Sequence, residues 1–357
     1  METFVYNGLP TRVIFGSGTA SRLRAEIERT SCRRAFVVGT REQTASVDAV
    51  AASLGPIAVD TFAGAAMHTP TDVTQSALER FKECGADCTV AVGGGSAVGL
   101  GKAIALRTDA MQFVLPTTYA GSEMTPILGE TENGVKTTQR SPKVQPEVAI
   151  YDVDLTLTLP AKLSATSGMN AIAHAVEALY AEDRNPIISV MAEQAITALG
   201  RALPVIVANP QDRPARSDAL YGAWLCGMCL GSVGMALHHK LCHVLGGSFD
   251  LPHAETHTVV LPHAFAYNAA AAPAAEQVLR RALGGNDGAR ALFDLAGALK
   301  APTSLRSLGM PEDGIDHAAD LAVKNPYWNP RPLERQAIRD LIAGAWAGEP
   351  PVSGTEA

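Results

Sequence analysis

Between residues 35 and 151, short apolar β-branched runs alternate with longer helical stretches, and this alternation leaves few architectures open. Ala35-Phe36-Val37-Val38 reads as a buried strand ending in the turn Gly39-Thr40, the way a nucleotide-binding α/β unit usually begins. Residues 57–61, 88–92, 112–115 and 148–151 read as further strands, with helices over 71–84 and 96–107. Two β-rich segments, 3–6 and 12–15, precede Gly16-Ser17-Gly18 and a predicted helix over 19–28. Strands joined through helices pair in parallel, so the expectation is an α/β fold whose N-terminal part is a doubly wound, mostly parallel, Rossmann-like sheet.

The rhythm stops at Leu159-Pro160, after which alanine- and leucine-rich helical patterns cover 170–180, 187–203, 216–227, 233–245, 274–283 and 288–299. The expected organisation is a dinucleotide-binding α/β domain over 1–158 and an all-helical substrate and catalytic domain over 159–357, as a chain of 357 residues accommodates. A composition of 47% hydrophobic and 18% charged residues is globular, and a net charge of −7 without a basic block argues against nucleic acid as a partner. METFVYNG lacks the features of a signal peptide and no apolar run approaches a bilayer span, so the expectation is a cytoplasmic protein with no membrane partner. The six cysteines lie in apolar segments and read as buried thiols; Cys226-x-x-Cys229, inside a helical run, reads as core packing.

Two glycine- and hydroxyl-rich turns leave strand ends. Gly93-Gly94-Gly95-Ser96 follows the strand at 88–92 and opens a helix, where glycine lets the backbone approach a phosphate and the helix N-terminus offers N–H groups and a positive dipole end. PTTYAGSE at 116–123 is suited to a nucleotide in the same way. Neither turn is a GxGxxG or Walker motif. Thr40-Arg41 leaves no carboxylate to repel a 2′-phosphate, so NADPH is not excluded beside NADH.

Residues 231–263 hold six of the nine histidines. His239 and His243, four apart, project from one helix face; Gly246-Gly247 is expected to end that helix and a turn through Pro252 to bring His253 back to the same space. His238, turned about 100° from His239, is expected to point elsewhere, and both it and His257 read as core residues. Glu177, one turn after His174, reads as a charge on a helix face.

The strand-linked GGGS, PTTYAGSEMT, SGMNAIAHAVE at 167–177 and the His239-x3-His243-x9-His253 array together resemble the iron-containing (group III) alcohol dehydrogenase superfamily along nearly the whole chain. YAGSEMTPI, NAIAHAVEALY, LHHKLCH, LPHAETHTVVLPH and NPYWNPRP are similar to its maleylacetate reductase branch. The resemblance implies NAD(P)H-dependent reduction of the C=C bond of maleylacetate to 3-oxoadipate in aromatic-compound degradation, by a homodimer that takes a small dicarboxylate and NADH. It assigns cofactor contacts to Gly93, Gly94, Gly95, Ser96, Thr117, Thr118 and Lys136, to which the strand-end turns add Gly39, Thr40 and Ser122, and it assigns the superfamily's metal-ligand positions to Asn170, His174, His239 and His253.

Asn170 departs from the superfamily, which has aspartate there, and Gly99 stands where the broader family has another aspartate, while Lys102 is retained. Without the anionic ligand a divalent ion is less well held, and no essential metal is expected. Hydride addition to a C=C bond conjugated with a ketone gives an enolate, which hydrogen-bond donors can stabilise and a proton donor can quench. His243 is the expected proton donor or the orienting group on the nicotinamide side, and His253 or His239 the enolate stabiliser, with His174 and Asn170 beside them. Lys240 is a candidate carboxylate binder and Tyr327 a candidate hydrogen-bond donor; Arg331 is a carboxylate binder or an anchor for its loop. The competing functions are a metal-dependent alcohol or polyol dehydrogenase, a dehydroquinate-synthase-like lyase and a nucleotide-binding protein without activity.

Overall fold

The computed structural model describes residues 3–324 and 327–352. By internal contact the chain forms two units, one over Gly8–Leu159 and one over Pro160–Ala357 with Met1–Asn7. The expected first strand at 3–6 does not form; the segment is irregular, with Val5 75% exposed, because no neighbouring strand takes up its hydrogen bonds.

The first unit holds β1 (Arg12–Gly16), α1 (Leu23–Glu28), β2 (Ala35–Val38), α2 (Thr44–Leu54), β3 (Ala58–Phe62), α3 (Thr71–Glu83), β4 (Cys88–Gly93), α4 (Gly95–Thr108) and β5 (Met111–Pro116). It continues through the antiparallel hairpin β6 (Ile127–Glu132) and β7 (Val135–Arg140) to β8 (Val148–Asp152). The six-stranded sheet has the order β1-β8-β5-β4-β2-β3 and every pairing in it is parallel. Side chains alternate across it: Val37, Val90, Val92, Phe113 and Leu115 pack with α1 and α2, whereas Phe36, Val38, Ala91 and Val114 pack with α3 and α4. Both faces are covered, which is why β2 and β4 are continuously apolar.

From β2 the chain runs outward to β3 and returns to place β4 on the other side of β2. The strand order reverses between β2 and β4, and the turns after them, at Gly39 and Gly93, therefore share the crevice where such sheets receive ligands.

The second unit is helical: α5 (Ala161–Ala178), α6 (Pro186–Ala208), α7 (Arg213–Ser232), α8 (Leu237–Phe249), α9 (His253–Asn268), α10 (Pro273–Leu283), α11 (Gly288–Ala298), α12 (Gly314–Val323) and α13 (Arg335–Ala347). Asn185 and Asp212 cap α6 and α7 with their side chains, and Pro186 and Pro214 sit in the first turns, where a missing N–H costs nothing. α9 is the hub, packed against α5, α8, α11 and α13 and buried on all sides from Thr256 to Asn268. The Gly246-Gly247 pair does not end α8: the helix continues to Phe249 and stops at Asp250, which adopts a left-handed φ of 51°. The six cysteines are free thiols, and Cys226 and Cys229 are buried within α7.

Candidate active site

The cofactor-type residues gather at the sheet's switch point. Gly93 ends β4 at φ 148°, a value side chains avoid, and a Cβ there would stand 2.3 Å from Gln43 Oε1. A Cβ on Gly94 would meet Thr118 Oγ1 at 2.7 Å, and one on Gly39 would meet Val47 Cγ2 at 2.5 Å. Thr117 N–H donates to the Gly93 carbonyl at 3.1 Å, and Gln43 Nε2 donates to Thr117 Oγ1 at 2.6 Å. The GGGS and PTT motifs are thus side by side, with α4 opening at Gly95 and Ser96 in its first turn, whose N–H groups have no acceptor inside the helix. Thr40 precedes the short turn 41–43 in extended conformation. Ser122 is fixed through its carbonyl by Lys102, whose buried ammonium also donates to the Thr125 carbonyl and hydroxyl and the Ile127 carbonyl, each within 2.9 Å. Gly99 has no room for the aspartate of the broader family, since a Cβ would lie 2.3 Å from Thr69 Oγ1. Lys136 lies on β7, in register with Thr131. Gln43 carried no motif and escaped the sequence; its signal is only that it follows the first βα turn.

The imidazoles gather in the helical unit. On α5, Asn170, His174 and Glu177 are spaced four and three apart, share one face and are all buried. Ring centroids of His174 and His239 stack at 5.1 Å; His239 lies 6.4 Å from His243 and 5.0 Å from His257, which lies 4.4 Å from His253. His243 and His253 are the exposed members, and the others are buried. His238 does not point away: its Nε2 is 3.0 Å from Nδ1 of His257, and its ring meets that of His239 edge-on at 5.2 Å. The helical wheel separates residues 238 and 239, but α9 supplies a partner that reaches both.

Glu177 is fully buried, and not a surface charge. Its carboxylate accepts Nδ1–H of His239 at 2.6 Å and the backbone N–H groups of His238 at 2.8 Å and Ala236 at 3.1 Å. α8 has no side-chain cap of its own, and Glu177 fills that role from α5 while placing a negative charge at the helix N-terminus. With its Nδ1 proton committed, His239 can meet a ligand only through Nε2, which has no partner. The i+3 spacing from His174 is the signal that could have found Glu177.

Burial pushes His174 well below the usual imidazole range, aided by His239 and His253, and does the same to His238 and His257. These three rings are neutral at pH 7 and can offer or accept a hydrogen bond without delivering a net proton. Lys240 Nζ sits 5.7 Å above the Tyr327 ring. The Tyr327 hydroxyl is buried without a partner, and burial raises it, so it remains a protonated donor. Arg331 is an anchor: its guanidinium stacks 4.2 Å above Tyr267 and donates to the Tyr267 carbonyl. The segment between Tyr327 and Pro332 also positions α8, because Asn329 Oδ1 accepts Leu237 N–H at 3.4 Å while pairing amide to amide with Asn268.

The positions that the superfamily uses for iron fit a divalent ion poorly in this chain. Asn170 Oδ1 and His239 Nε2 are buried without partners, yet the donors are an amide and imidazoles with no anion, and Glu177 is spent on three N–H groups. Among the described residues, donor atoms of three ligating groups come within 4.8 Å of one another at His238, Cys242 and His257 and at Cys32, Asp87 and Cys88; the His174, His239, His253 set is in neither.

Known proteins corroborate the architecture. A family model for iron-containing alcohol dehydrogenase matches residues 10–153, and the C-terminal model of the Fe-containing alcohol dehydrogenase family matches 164–346. Maleylacetate reductase of Rhizobium sp. (strain MTP-10005) is 56% identical over 351 residues, covering 98% of this chain and 100% of that one. Maleylacetate reductase of Sphingobium indicum is 56% identical over 350 residues, covering 98% and 99%. The crystal structure of maleylacetate reductase from Agrobacterium tumefaciens superposes with a TM-score of 0.96 at 56% identity, over 98% of this chain and 100% of that one.

Proposed function

Since the chain belongs to the iron-containing alcohol dehydrogenase family, and its relatives of 49–56% identity are maleylacetate reductases, we infer that it reduces the C=C bond of maleylacetate to 3-oxoadipate. The observation that carries the reading is the end-to-end likeness to these reductases combined with a neutral Asn170 on the face of α5 that bears His174 and Glu177.

A bound nicotinamide, NADH with NADPH as a second donor, would supply the hydride, and the turns after β2, β4 and β5 would hold its phosphates and ribose. Hydride adds to the alkene carbon β to the ketone, and the electron pair of the C=C bond moves onto the ketone oxygen as an enolate. A proton then joins the α-carbon. Donors at fixed positions lower the enolate's energy because they need not reorganise as charge develops. The exposed His253 suits that task and the exposed His243 suits proton delivery, since neither is sealed in the neutral core, whereas His239, whose Nδ1 proton is committed to Glu177, presents Nε2 as an acceptor that orients a neighbouring donor and is not itself the enolate's donor. Neutral His174 and the Tyr327 hydroxyl hold orientation, and Lys240 meets a substrate carboxylate. Replacing a ligand carboxylate by Asn170 removes repulsion toward a dianionic substrate as well as the charge that would retain a metal ion. The reading includes a cytoplasmic homodimer in aromatic-compound degradation, with no nucleic acid or membrane partner.

The test is NADH consumption on adding maleylacetate, with and without EDTA. Turnover that survives the chelator supports the whole reading. Activity abolished by EDTA and restored by iron or zinc would overturn the metal-independent chemistry, and no NADH loss at all would overturn the function.

A further inference from the structure

The imidazole cluster contains a second constellation, built from residues that the superfamily's ligand positions leave out. His238 and Cys242 are one turn apart on α8, and His257 reaches them from α9. His238 Nε2 lies 3.0 Å from His257 Nδ1, Cys242 Sγ lies 3.8 Å from His238 Nε2, and all three donor atoms fall within 4.8 Å of one another. A tetrahedral zinc ion with nitrogen at about 2.05 Å and sulfur at about 2.3 Å sets its donors roughly 3.3 Å (N to N) and 3.6 Å (N to S) apart. For the two measured pairs the shifts needed are a few tenths of an ångström. All three side chains are buried, and the outer ring nitrogens, His238 Nδ1 and His257 Nε2, have no partner.

We propose that His238, Cys242 and His257 form a binding site for one thiophilic cation such as Zn2+, separate from the positions at Asn170, His174, His239 and His253. Of the two facing nitrogens one carries the proton of the His238–His257 hydrogen bond. On binding, that proton is relocated to the unpartnered outer nitrogen of the same ring, so both facing nitrogens present lone pairs. The Cys242 thiol gives its proton to solvent as the sulfur–metal bond forms, so one cation enters, one proton leaves and no electron is transferred. Thiolate plus two imidazoles favours borderline and soft ions over calcium or magnesium. An ion held there fixes the tautomers of two rings that abut His239 and His253, at 5.2 and 4.4 Å.

Titration of the full-length protein with Co2+ is the first test. The expected result is a cobalt–thiolate charge-transfer band that saturates at one equivalent, is displaced by Zn2+ and is absent in Cys242→Ser. Apparent affinity should rise about tenfold per pH unit near neutrality, as release of one proton requires. The band should persist in Asn170→Ala and in Cys32→Ser, the second because Cys32, Asp87 and Cys88 make another compact trio. X-ray absorption of the zinc-loaded wild type should give one sulfur and two imidazole nitrogens, a readout that stands even where Cys242→Ser does not fold. A zinc shell without sulfur, a band that survives Cys242→Ser or vanishes in Cys32→Ser, or no zinc bound at micromolar concentration overturns the proposal.

Discussion

Replacing Glu177 by glutamine keeps the shape of the side chain and removes its charge. The carboxylate receives three N–H groups, from His239 Nδ1 at 2.6 Å and from the backbones of His238 and Ala236 at 2.8 and 3.1 Å. An amide has one acceptor oxygen, and its nitrogen must face a donor wherever it is placed. With oxygen toward His238, the amide nitrogen opposes Ala236 N–H and obliges His239 to move its proton from Nδ1 to Nε2. One hydrogen bond to a charged group contributes about 1.5–3 kcal/mol, and a buried donor left unpaired costs about 1–3 kcal/mol. Glu177→Gln should therefore lower unfolding free energy by about 2–4 kcal/mol. An imidazole held in the wrong tautomer should reduce kcat by about 10–100-fold, which corresponds to about 1.4–2.7 kcal/mol in the barrier. NADH absorbance with saturating maleylacetate reads kcat, and thermal unfolding reads the fold. Glu177→Asp, which retains the charge, should lose less turnover than the glutamine variant. A kcat within twofold of wild type alongside a lowered melting temperature would refute the reasoning, because it would leave Glu177 as a helix cap without influence on His239.

Three further outcomes are expected. Asn170→Asp should bind more iron or zinc and raise KM for maleylacetate; unchanged metal content together with an unchanged KM would contradict the role given to the amide. Gly94→Ala, whose methyl would stand 2.7 Å from Thr118 Oγ1, should raise KM for NADH about tenfold or more, a shift of about 1.4 kcal/mol, and an unaltered KM would argue against this turn as the coenzyme cradle. Acid should destabilise the fold: burial lowers His263 to about 4 and sends His174, His238 and His257 down as well, while the unfolded chain protonates its histidines near pH 6.5. A lowered folded value gives stability that is present above about pH 6.5 and lost as pH falls below it, and His263 alone should remove about 2 kcal/mol between pH 7 and 5. Denaturant unfolding at the two pH values checks this, and His263→Gln should reduce the difference by about 2 kcal/mol while the share of the other three remains; equal stability of the wild type at both would contradict it.

Much of the sheet was legible because its strands obey local rules. β2 was located to the residue and β4 to within one residue, since continuous apolar runs bounded by glycine turns have few other uses. The helices that were missed lack that clarity. α9 carries His253, Glu255, His257 and Pro262, and no helix was expected over it, yet it is the buried hub of its unit, where packing from several sides overrides weak propensity. α8 passed through two glycines for the same reason, and the antiparallel hairpin of β6 and β7 escaped because its second strand is exposed and polar throughout.

For the histidine region the sequence by itself determined which side chains are available and which charge is missing: an imidazole array with asparagine where the superfamily has a carboxylate. It also determined the glycine turns, whose close approaches leave no space for a side chain. Tertiary structure decided what those groups do to one another. Glu177 became the partner of His239, and His238 was drawn into contact with His257, because α5, α8 and α9 bring within electrostatic reach residues 83 positions apart, His174 and His257, a separation that no local period encodes. Burial then set the protonation of His174, His238 and His257 and left His243 and His253 at the accessible end, since the cost of a charge depends on what surrounds it in space and not on its neighbours in the chain.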